Sequence, residues 1–308
     1  MLTGNYGANT TVDSLFMTAF DELLEATISH VEGLANEGIR SLPVDETLLR
    51  ALKEGPRPRL QKPALEVPAP SPVEPPKPQA QELVRSDAAE VLAGAALSSE
   101  QKKEAMIHLQ ERAKACMKCP QLARSRQNVV FGVGSYDAEL MFVGEAPGMD
   151  EDSQGEPFVG KAGQLLTKII ETMGLSRETV YIGNVLKCRP DTPGRRYGNR
   201  KPTPQEMVTC RPYLMEQIRT IRPKVLVALG ATAVEGLMNL SSVAITRYRG
   251  EFKDFGGIPL MPTYHPSYVL RNQSHRIKRQ IWEDMLKVMA RLEMPISEKQ
   301  RGYFTKSS

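Results

Sequence analysis

The four cysteines are the residues of this chain whose type and spacing most directly suggest chemistry. Cys116 and Cys119 form a Cys-x2-Cys pair, whereas Cys188 and Cys210 lie 22 positions apart. Four thiolates can bind a zinc ion, usually as two closely spaced pairs, or an iron–sulfur cluster, which accepts more dispersed ligands. Free buried thiols are a third interpretation, and disulfides are rare in cytoplasmic proteins. The wide second spacing and the proline at position 190 favour a cluster over zinc.

A glycine-rich turn follows the first buried strand that the sequence predicts. The apolar run Leu140–Val143 is too short for a helix, and Gly144–Gly148 (GEAPG) comes directly after it. Open α/β sheets bind ligands at the carboxyl ends of their strands, and glycine lets backbone N–H groups approach a ligand closely. The turn is not a P-loop, because no Gly-Lys-Ser/Thr follows at the required spacing. A simple tight turn is the alternative, with Asp150 and Asp152 expected to be solvated.

Three further apolar runs predict strands, and two of them end at side chains that suit a binding site. Val180–Val185 ends near Asn184, Ile258–Tyr264 ends just before His265, and Lys224–Leu229 is followed by a glycine. The carboxyl ends of parallel strands meet at one edge of a sheet. We therefore expect the glycine-rich turn, Asn184 and His265 to converge there.

Helical segments alternate with these strands, which is typical of a mainly parallel sheet. Helices are expected to start at Ser98 or Ser99 and at Thr203 or Pro204, and a last helix is expected over His275–Leu292. The predicted fold class is α/β, with three α/β/α layers around a central four-stranded, mainly parallel sheet.

The N-terminal third of the chain differs in composition from the rest. Residues 1–55 are interpreted as a partly helical extension, since residues 12–39 show apolar positions at helical spacing. Nine prolines lie between positions 56 and 78, so residues 56–97 are interpreted as a linker that cannot bury enough surface to fold. The main folded domain is expected over residues 98–294, with a C-terminal tail over residues 295–308.

Charge also separates the two parts of the chain. Residues 1–98 carry 8 Lys/Arg against 14 Asp/Glu, a net of −6, whereas residues 99–308 carry 32 against 22, a net of +10. A basic domain of this kind is typical of polyanion binding. No apolar run approaches the ~20 residues that span a bilayer, and the N-terminus lacks the pattern of a secretory signal. A cytoplasmic protein without membrane contact is therefore expected.

Five motifs, found in the family's order, resemble family 4 uracil-DNA glycosylases, the iron–sulfur members of the uracil-DNA glycosylase superfamily. The resemblance covers about residues 100–292 and rests on Cys116–Cys119, Gly144–Gly148, Pro157–Gly163 (PFVGKAG), Gly183–Pro190 (GNVLKCRP) and His265–Arg271 (HPSYVLR). It implies the parallel sheet already expected and a 4Fe–4S cluster on Cys116, Cys119, Cys188 and Cys210, in a structural role. Residues 192–200 resemble an insertion, which could extend the basic loop further onto DNA.

The resemblance also implies a role for three side chains in reading an extruded base. Phe158 would stack on the flipped uracil, with core packing as the alternative role. Asn184 carries an adjacent donor and acceptor, which match uracil O4 and N3–H but not the donor pattern of cytosine. His265 would donate a hydrogen bond to uracil O2 as negative charge develops there, and a neutral imidazole suffices for this.

The remaining site residues surround the reacting bond. Backbone N–H groups of Gly144 and Ala146 could contact O2. Glu145 and Glu151 are both candidates to orient water or stabilise the sugar cation, and Glu151 could instead block the 5-methyl group of thymine. The sequence does not separate the two roles.

The leading prediction is a monofunctional uracil-DNA glycosylase of base excision repair, which leaves an abasic site in DNA. Ser267, Leu270 and Arg271 would grip phosphates and press on the vacated stack, in single- or double-stranded DNA. Two non-enzymatic alternatives are a DNA-binding, uracil-sensing module with an iron–sulfur cluster and a zinc-bound adaptor. A monomer is expected, with a repair or replication protein as a possible partner of the N-terminal extension.

Overall fold

A central sheet organises the fold. The computed structural model describes residues 94–192, 199–272 and 274–305, and within these ranges the sheet has six strands. Their bounds are β1 (Val133–Gly134), β2 (Leu140–Gly144), β3 (Tyr181–Asn184), β4 (Val225–Leu229), β5 (Lys253–Phe255) and β6 (Ile258–Thr263). Every residue of β2, β3 and β4 is buried, as continuous apolar runs predict for strands that are covered on both faces.

The strand order is β1-β3-β2-β4-β6-β5. The four inner strands run parallel, which confirms the predicted four-stranded centre. The outer strands β1 and β5 pair antiparallel with β3 and β6 and were not expected. They are two and three residues long, which is too short to produce a recognisable alternation of polar and apolar residues.

Helices connect the strands and cover both faces of the sheet. Their bounds are α1 (Ser99–Lys114), α2 (Pro120–Ser125), α3 (Met149–Gln154), α4 (Lys161–Thr172), α5 (Pro204–Ile221), α6 (Ala231–Met238), α7 (Ile245–Tyr248), α8 (Pro266–Arg271), α9 (His275–Arg291) and α10 (Glu298–Gly302). The expected helix starts are present, because Ser98 and Thr203 cap α1 and α5 with reciprocal side-chain hydrogen bonds.

Two apolar layers lie on opposite faces of the sheet. On one face, α1, α5 and α6 pack against alternate strand residues such as Met141 and Leu226. On the other face, α4 and α9 pack against the intervening residues, including Phe142 and Val227. Successive strand side chains point to opposite faces, so both layers are apolar. The predicted three-layer α/β/α arrangement is confirmed.

The segment expected as a C-terminal tail packs on the domain as far as residue 305. The side chain of Gln300 donates to the carbonyl oxygen of Thr172 at 2.8 Å, and Arg279 donates to the carbonyl oxygen of Tyr303 at 2.8 Å. The predicted extension over residues 1–55 and most of the predicted linker lie outside the described residues. Within the described ranges, no helix has the length and apolar character that crossing a membrane requires.

Candidate active site

The carboxyl ends of the four parallel strands form one edge of the sheet. In register, Gly144 of β2 pairs with Asn184 of β3, and Leu229 of β4 pairs with Thr263 of β6. From β2 the chain passes to β3 on one side, and it then crosses to β4 on the other side. This reversal of direction makes the carboxyl ends of β2 and β4 a topological switch point, where open α/β sheets bind their ligands.

A pocket of about 470 Å³ opens at this switch point. It is lined by the turns that follow β2, β3, β4 and β6, so all three predicted strand-end marks converge there. The lining residues are Glu145, Ala146, Gly148, Glu151, Phe158, Ala162, Asn184, Asn199, Leu229, Gly230, Ala231, His265, Ser267 and Arg271.

The side chain of Asn184 is buried at the floor of the pocket, with 1% of its surface exposed. Among the residues that the structure describes, its Oδ1 is the buried side-chain nitrogen or oxygen without a hydrogen-bond partner. Buried polar atoms are nearly always bonded in native proteins, so an exception calls for an explanation. An acceptor left open in a pocket wall fits a ligand that brings its own N–H donor.

Phe158 forms the wall next to Asn184. Its φ of 55° lies in the left-handed region, which a bulky residue rarely adopts. Its ring lies 5.8 Å from the ring of His265, at an interplanar angle of 33°. A Cβ on Gly144 would lie 2.3 Å from Asn184 Oδ1 and 2.5 Å from Phe158 Cζ, so glycine is required where these three residues meet.

The imidazole of His265 is oriented by the start of α8. The backbone N–H of Ser267 donates to His265 Nδ1 at 3.1 Å, and Ser267 Oγ lies 2.7 Å from the same nitrogen. A nitrogen that accepts a hydrogen bond carries no proton, so the proton of the neutral ring is on Nε2. Burial, assisted by the positive charge of Arg271, lowers the pKa of His265 to about 4. The ring is therefore a neutral donor at physiological pH.

The two glutamates of the pocket have different surroundings. Burial raises the pKa of Glu145, while a hydrogen bond with Thr232 and the charge of Lys201 oppose the rise. Glu151 Oε2 accepts from the N–H of Gly148 at 2.9 Å. Its Oε1 accepts from the N–H groups of residues 159 and 160, both at 3.0 Å. Both oxygens of Glu151 are thus engaged by backbone, whereas the half-buried Glu145 carboxyl has a side-chain hydrogen bond with Thr232.

The expectation that Asp152 is solvated was wrong. Its side chain has 1% of its surface exposed, and Oδ1 accepts from the backbone N–H groups of Gln127 and Asn128 at 3.0 and 3.2 Å. The carboxylate ties the loop before β1 to α3 and thereby supports the glycine-rich turn. Asp150 is exposed, as expected.

The four cysteines line one small cavity, together with Leu122, Arg126, Leu186 and Thr209. All four are free thiols. Arg126 Nη1 donates to Cys188 Sγ at 3.1 Å, and the backbone N–H of Lys187 donates to Cys210 Sγ at 3.3 Å. Burial raises the pKa of Cys210 to about 12, against the charge of Lys187. Soft thiol donors in one cavity, with N–H donors directed at the sulfurs, are the environment in which clusters are held.

Within the ranges that the structure describes, no group of three or more His, Cys, Asp or Glu side chains is arranged to hold a metal ion.

Comparisons with known proteins agree with this geometry. The family model of the uracil-DNA glycosylase superfamily matches residues 131–286, about half of the chain. A type-4 uracil-DNA glycosylase from Thermotoga maritima is 47% identical over 187 residues, which cover 60% of this chain and 94% of that protein. Type-4 enzymes from Archaeoglobus fulgidus (47% over 163 residues; 51% and 78% covered) and Saccharolobus solfataricus (44% over 181 residues; 56% and 80% covered) are also similar.

The chain belongs to the type-4 uracil-DNA glycosylases. The family that the five motifs indicated is confirmed, and so is the fold class that the resemblance implied.

The uracil-DNA glycosylase fold brings together most of the predicted site residues. Gly144 lies directly beneath the pocket wall, and Leu270 lies outside the pocket with 39% of its surface exposed. The other predicted catalytic and substrate-binding residues line the pocket itself.

The prediction missed the turn after β4, which contributes Leu229, Gly230 and Ala231 to the lining, and it missed Asn199. The signal for the turn was present, because a glycine follows an apolar strand that ends at the same edge. Asn199 belongs to the basic loop, and its Oδ1 accepts from Arg189 Nε at 2.8 Å. Residues 193–198 of that loop lie outside the described residues.

Proposed function

We propose that this chain is a monofunctional uracil-DNA glycosylase, which excises uracil from DNA and leaves an abasic site without cutting the backbone. The names of its type-4 relatives support uracil excision in DNA repair. The observation that carries the proposal is the open, buried acceptor Asn184 Oδ1, in a pocket that is also lined by the aromatic ring of Phe158 and the neutral imidazole of His265. A planar base that has an N–H donor beside a carbonyl oxygen satisfies this site.

The amide of Asn184 would select uracil over cytosine. Its Oδ1 accepts from uracil N3–H, and its NH₂ donates to O4. Cytosine presents an acceptor at N3 and an amino donor at the position of O4, so both bonds are lost and like groups face each other. Leaving a buried polar group unpaired costs about 1–3 kcal/mol. Sites that read a hydrogen-bonding group in this way discriminate strongly.

Base extrusion precedes this recognition. A glycosylase cannot reach its bond inside the stack, so it flips the nucleotide into a pocket at a cost of a few kcal/mol. Stacking of the flipped uracil on Phe158 offsets part of that cost, since base–aromatic stacking is worth about 1–3 kcal/mol. The exposed Leu270 at the end of α8 can press on the vacated position in the duplex. Arg271 at the pocket mouth can contact a flanking phosphate.

Bond cleavage leaves negative charge on the pyrimidine and positive charge on the sugar. His265 Nε2–H donates to uracil O2, where the negative charge collects. Removing one donor of this kind typically costs about 10²–10³ in rate, or roughly 2.7–4 kcal/mol. A ring already neutral and fixed by Ser267 needs no proton rearrangement before it acts.

Glu145 is the residue we assign to the sugar side of the reaction. Its carboxyl lines the pocket beside Thr232 and can orient the attacking water and stabilise the oxocarbenium-like sugar. Glu151 suits that role less, because three backbone N–H groups already occupy its oxygens. Its exclusion of the 5-methyl group of thymine stays a prediction.

A 4Fe–4S cluster on Cys116, Cys119, Cys188 and Cys210 completes the proposal. The cavity, the free thiols and the N–H···S bonds support it. When bound, the cluster cross-links the segment between α1 and α2, the loop after β3 and helix α5, and it supplies no step of base excision.

Action on single- or double-stranded DNA, the monomeric state, the cytoplasmic location and a repair or replication protein as the partner of the N-terminal extension stay predictions.

The test uses a labelled oligonucleotide with one uracil, incubated with the protein and then treated with hot alkali. We expect cleavage at uracil that depends on alkali, and a rate lower by about 10²–10³-fold in His265→Ala. The matched control is His108→Ala, because His108 is an exposed histidine on α1. Visible absorbance and iron content report the cluster in every variant.

Three outcomes would contradict the proposal. Intact DNA from protein with a full cluster would indicate a binding module. Strand breaks without alkali would exclude a monofunctional enzyme. A complex that survives denaturation would indicate permanent covalent attachment to DNA in place of turnover.

A further inference from the structure

The backbone at Phe158 is held in an unfavourable conformation by contacts from two sides. A φ of 55° is sparsely populated for a residue with a branched or bulky side chain, and it persists only where the surroundings impose it. Phe158 is also the ring on which the flipped base would stack. The groups that impose its conformation therefore determine where that ring lies.

Arg177 donates hydrogen bonds to the backbone carbonyl oxygens at and just before Phe158. It lies in the loop between α4 and β3, and its guanidinium reaches back to the segment before α4. Nη2 donates to the carbonyl oxygen of Pro157 at 2.8 Å, and Nη1 donates to the carbonyl oxygen of Phe158 at 3.1 Å. Nη1 also lies 3.4 Å from Thr167 Oγ1 on α4. A planar guanidinium with several donors suits two successive carbonyl oxygens, because each terminal nitrogen can donate to one of them.

Glu151 accepts hydrogen bonds from the backbone N–H groups that follow Phe158. Its Oε1 accepts from the N–H groups of Val159 and Gly160, each at 3.0 Å. The peptide group that joins Phe158 to Val159 is thus fixed at both ends, its oxygen by Arg177 and its nitrogen by Glu151. Neither residue can be replaced by the other, because one supplies donors and the other supplies acceptors.

Helix α4 packs closely against the backbone at Phe158, which leaves that backbone little room to adopt another conformation. A Cβ on Gly163 would lie 1.8 Å from the carbonyl oxygen of Phe158, so the helix backbone sits directly against the segment. The carbonyl oxygen must therefore point past α4 toward Arg177. Loss of the guanidinium leaves a partly buried carbonyl without its donor, and rotation of the 158–159 peptide becomes the easiest relief.

We propose that Arg177 is a positioning residue that fixes the ring of Phe158 for stacking on the flipped base, through the carbonyl oxygens of residues 157 and 158. The proposal rests on the proposed function, since it concerns the same pocket. Arg177 is not among the residues that line the pocket, so it can act on the base only through Phe158. Its effect must appear in binding of the base and must depend on the presence of the Phe158 ring.

The experiment is a double-mutant cycle of Arg177→Met with Phe158→Ala. The measured quantities are the inhibition constant of free uracil and the single-turnover rate on uracil-containing DNA. We expect Arg177→Met to weaken inhibition by free uracil about tenfold or more, and to slow excision by up to about 10²-fold, since misplacement by ~1 Å can cost that much. Arg177→Lys should restore part of the loss. Arg219→Met, at an exposed position of α5, is the matched control and should leave both quantities unchanged.

The decisive comparison is made in the Phe158→Ala background. If Arg177 acts through the ring, the effect of Arg177→Met shrinks to less than about twofold there, because contacting residues do not act additively. An undiminished effect in that background would overturn the proposal and assign Arg177 to general stability.

Failure of the proposed function would be recognised separately. If the wild-type chain excises no uracil, hydrogen exchange of the Val159 and Gly160 amides still tests, without catalysis, whether Arg177 fixes the backbone at Phe158. Faster exchange of these two amides in Arg177→Met than in Arg219→Met supports the positioning role, and equal exchange overturns it.

Discussion

Substitution of Gly144 by alanine tests the geometry of the pocket most directly. A Cβ at this position would lie 2.3 Å from Asn184 Oδ1 and 2.5 Å from Phe158 Cζ. Carbon atoms in contact normally lie about 3.5–4.0 Å apart, so the ring must retreat by roughly 1 Å. Asn184 must move as well, and both side chains are almost fully buried. One methyl group therefore displaces the hydrogen-bonding group and the stacking group together.

The magnitude follows from these displacements. Overpacking of this kind costs about 1–3 kcal/mol of stability, which lowers Tm by about 2–4 °C for each kcal/mol in a domain of this size. Misplacement of a reacting group by ~1 Å costs about 10²-fold in rate. We therefore expect kcat/KM for a uracil-containing oligonucleotide to fall by about 10²-fold or more, while the protein stays folded and keeps its iron.

The matched control is Gly302→Ala at the end of α10, where an added Cβ would meet no atom within 4 Å. Both variants are measured by alkali-dependent cleavage, thermal unfolding and iron content. If Gly144→Ala keeps kcat/KM within about threefold of wild type, as Gly302→Ala should, then the positions of Asn184 and Phe158 do not control excision. That result would refute the reasoning even if the chain excises uracil.

Four further predictions concern charge and the cysteine cavity. His265 has a folded pKa of about 4 and an ordinary value near 6.5, so the rate should show no inflection near pH 6.5 from this ring. Because the unfolded chain then binds a proton that the folded chain does not, stability should fall as pH decreases from about 6.5 to 4, less so in His265→Ala. Burial raises the pKa of Glu145, so the excision rate should already decline at pH values above those at which an ordinary glutamate becomes protonated. An identical decline in Glu145→Gln would contradict the role of Glu145. Cys210→Ser should lose iron, colour and thermal stability together, and a variant that kept its colour would remove Cys210 from the ligand set. Arg249→Met leaves the buried Asp284 without its ion pair and should cost about 3–5 kcal/mol in urea unfolding, whereas a loss below about 1 kcal/mol would mean that the pair is not a structural support.

The inner strands and their common edge could be predicted because each signal is local. The runs at Leu140, Val180, Lys224 and Ile258 are mostly apolar and too short for helices, as expected of strands that are covered on both faces. Parallel direction then followed from the alternation of strands with helices. The order of the strands could not be predicted in the same way, because no sequence pattern indicates which strands pair with β4. The switch point between β2 and β4 therefore became visible only in the structure.

Site residues were predictable where they belong to a motif and not where they act from a distance. Asn184 and His265 stand at strand ends within matched motifs. Asp152 was misjudged because its partners, Gln127 and Asn128, lie 25 and 24 residues earlier in a loop without pattern. Arg177 carries no local signal at all, since its contacts are with backbone carbonyl oxygens. Backbone acceptors exist at every residue, so a side chain that bonds them leaves no signature in sequence.

The segment from Asn184 to Cys188 explains how a cluster remote from the reacting bond can still influence base excision. Lys187 is fully buried. Its Nζ donates to the carbonyl oxygen of Asn184 at 2.9 Å, and its backbone N–H donates to Cys210 Sγ at 3.3 Å. The N–H groups of residues 185 and 186 donate to the carbonyl oxygens of Gly144 and Glu145, at 3.0 and 3.1 Å. Ligation of Cys188 and Cys210 would thus restrain, through main-chain bonds, both the residue that reads the base and the turn that carries Glu145. A cluster with no role in the chemistry can then change the excision rate by changing how closely these two segments are held.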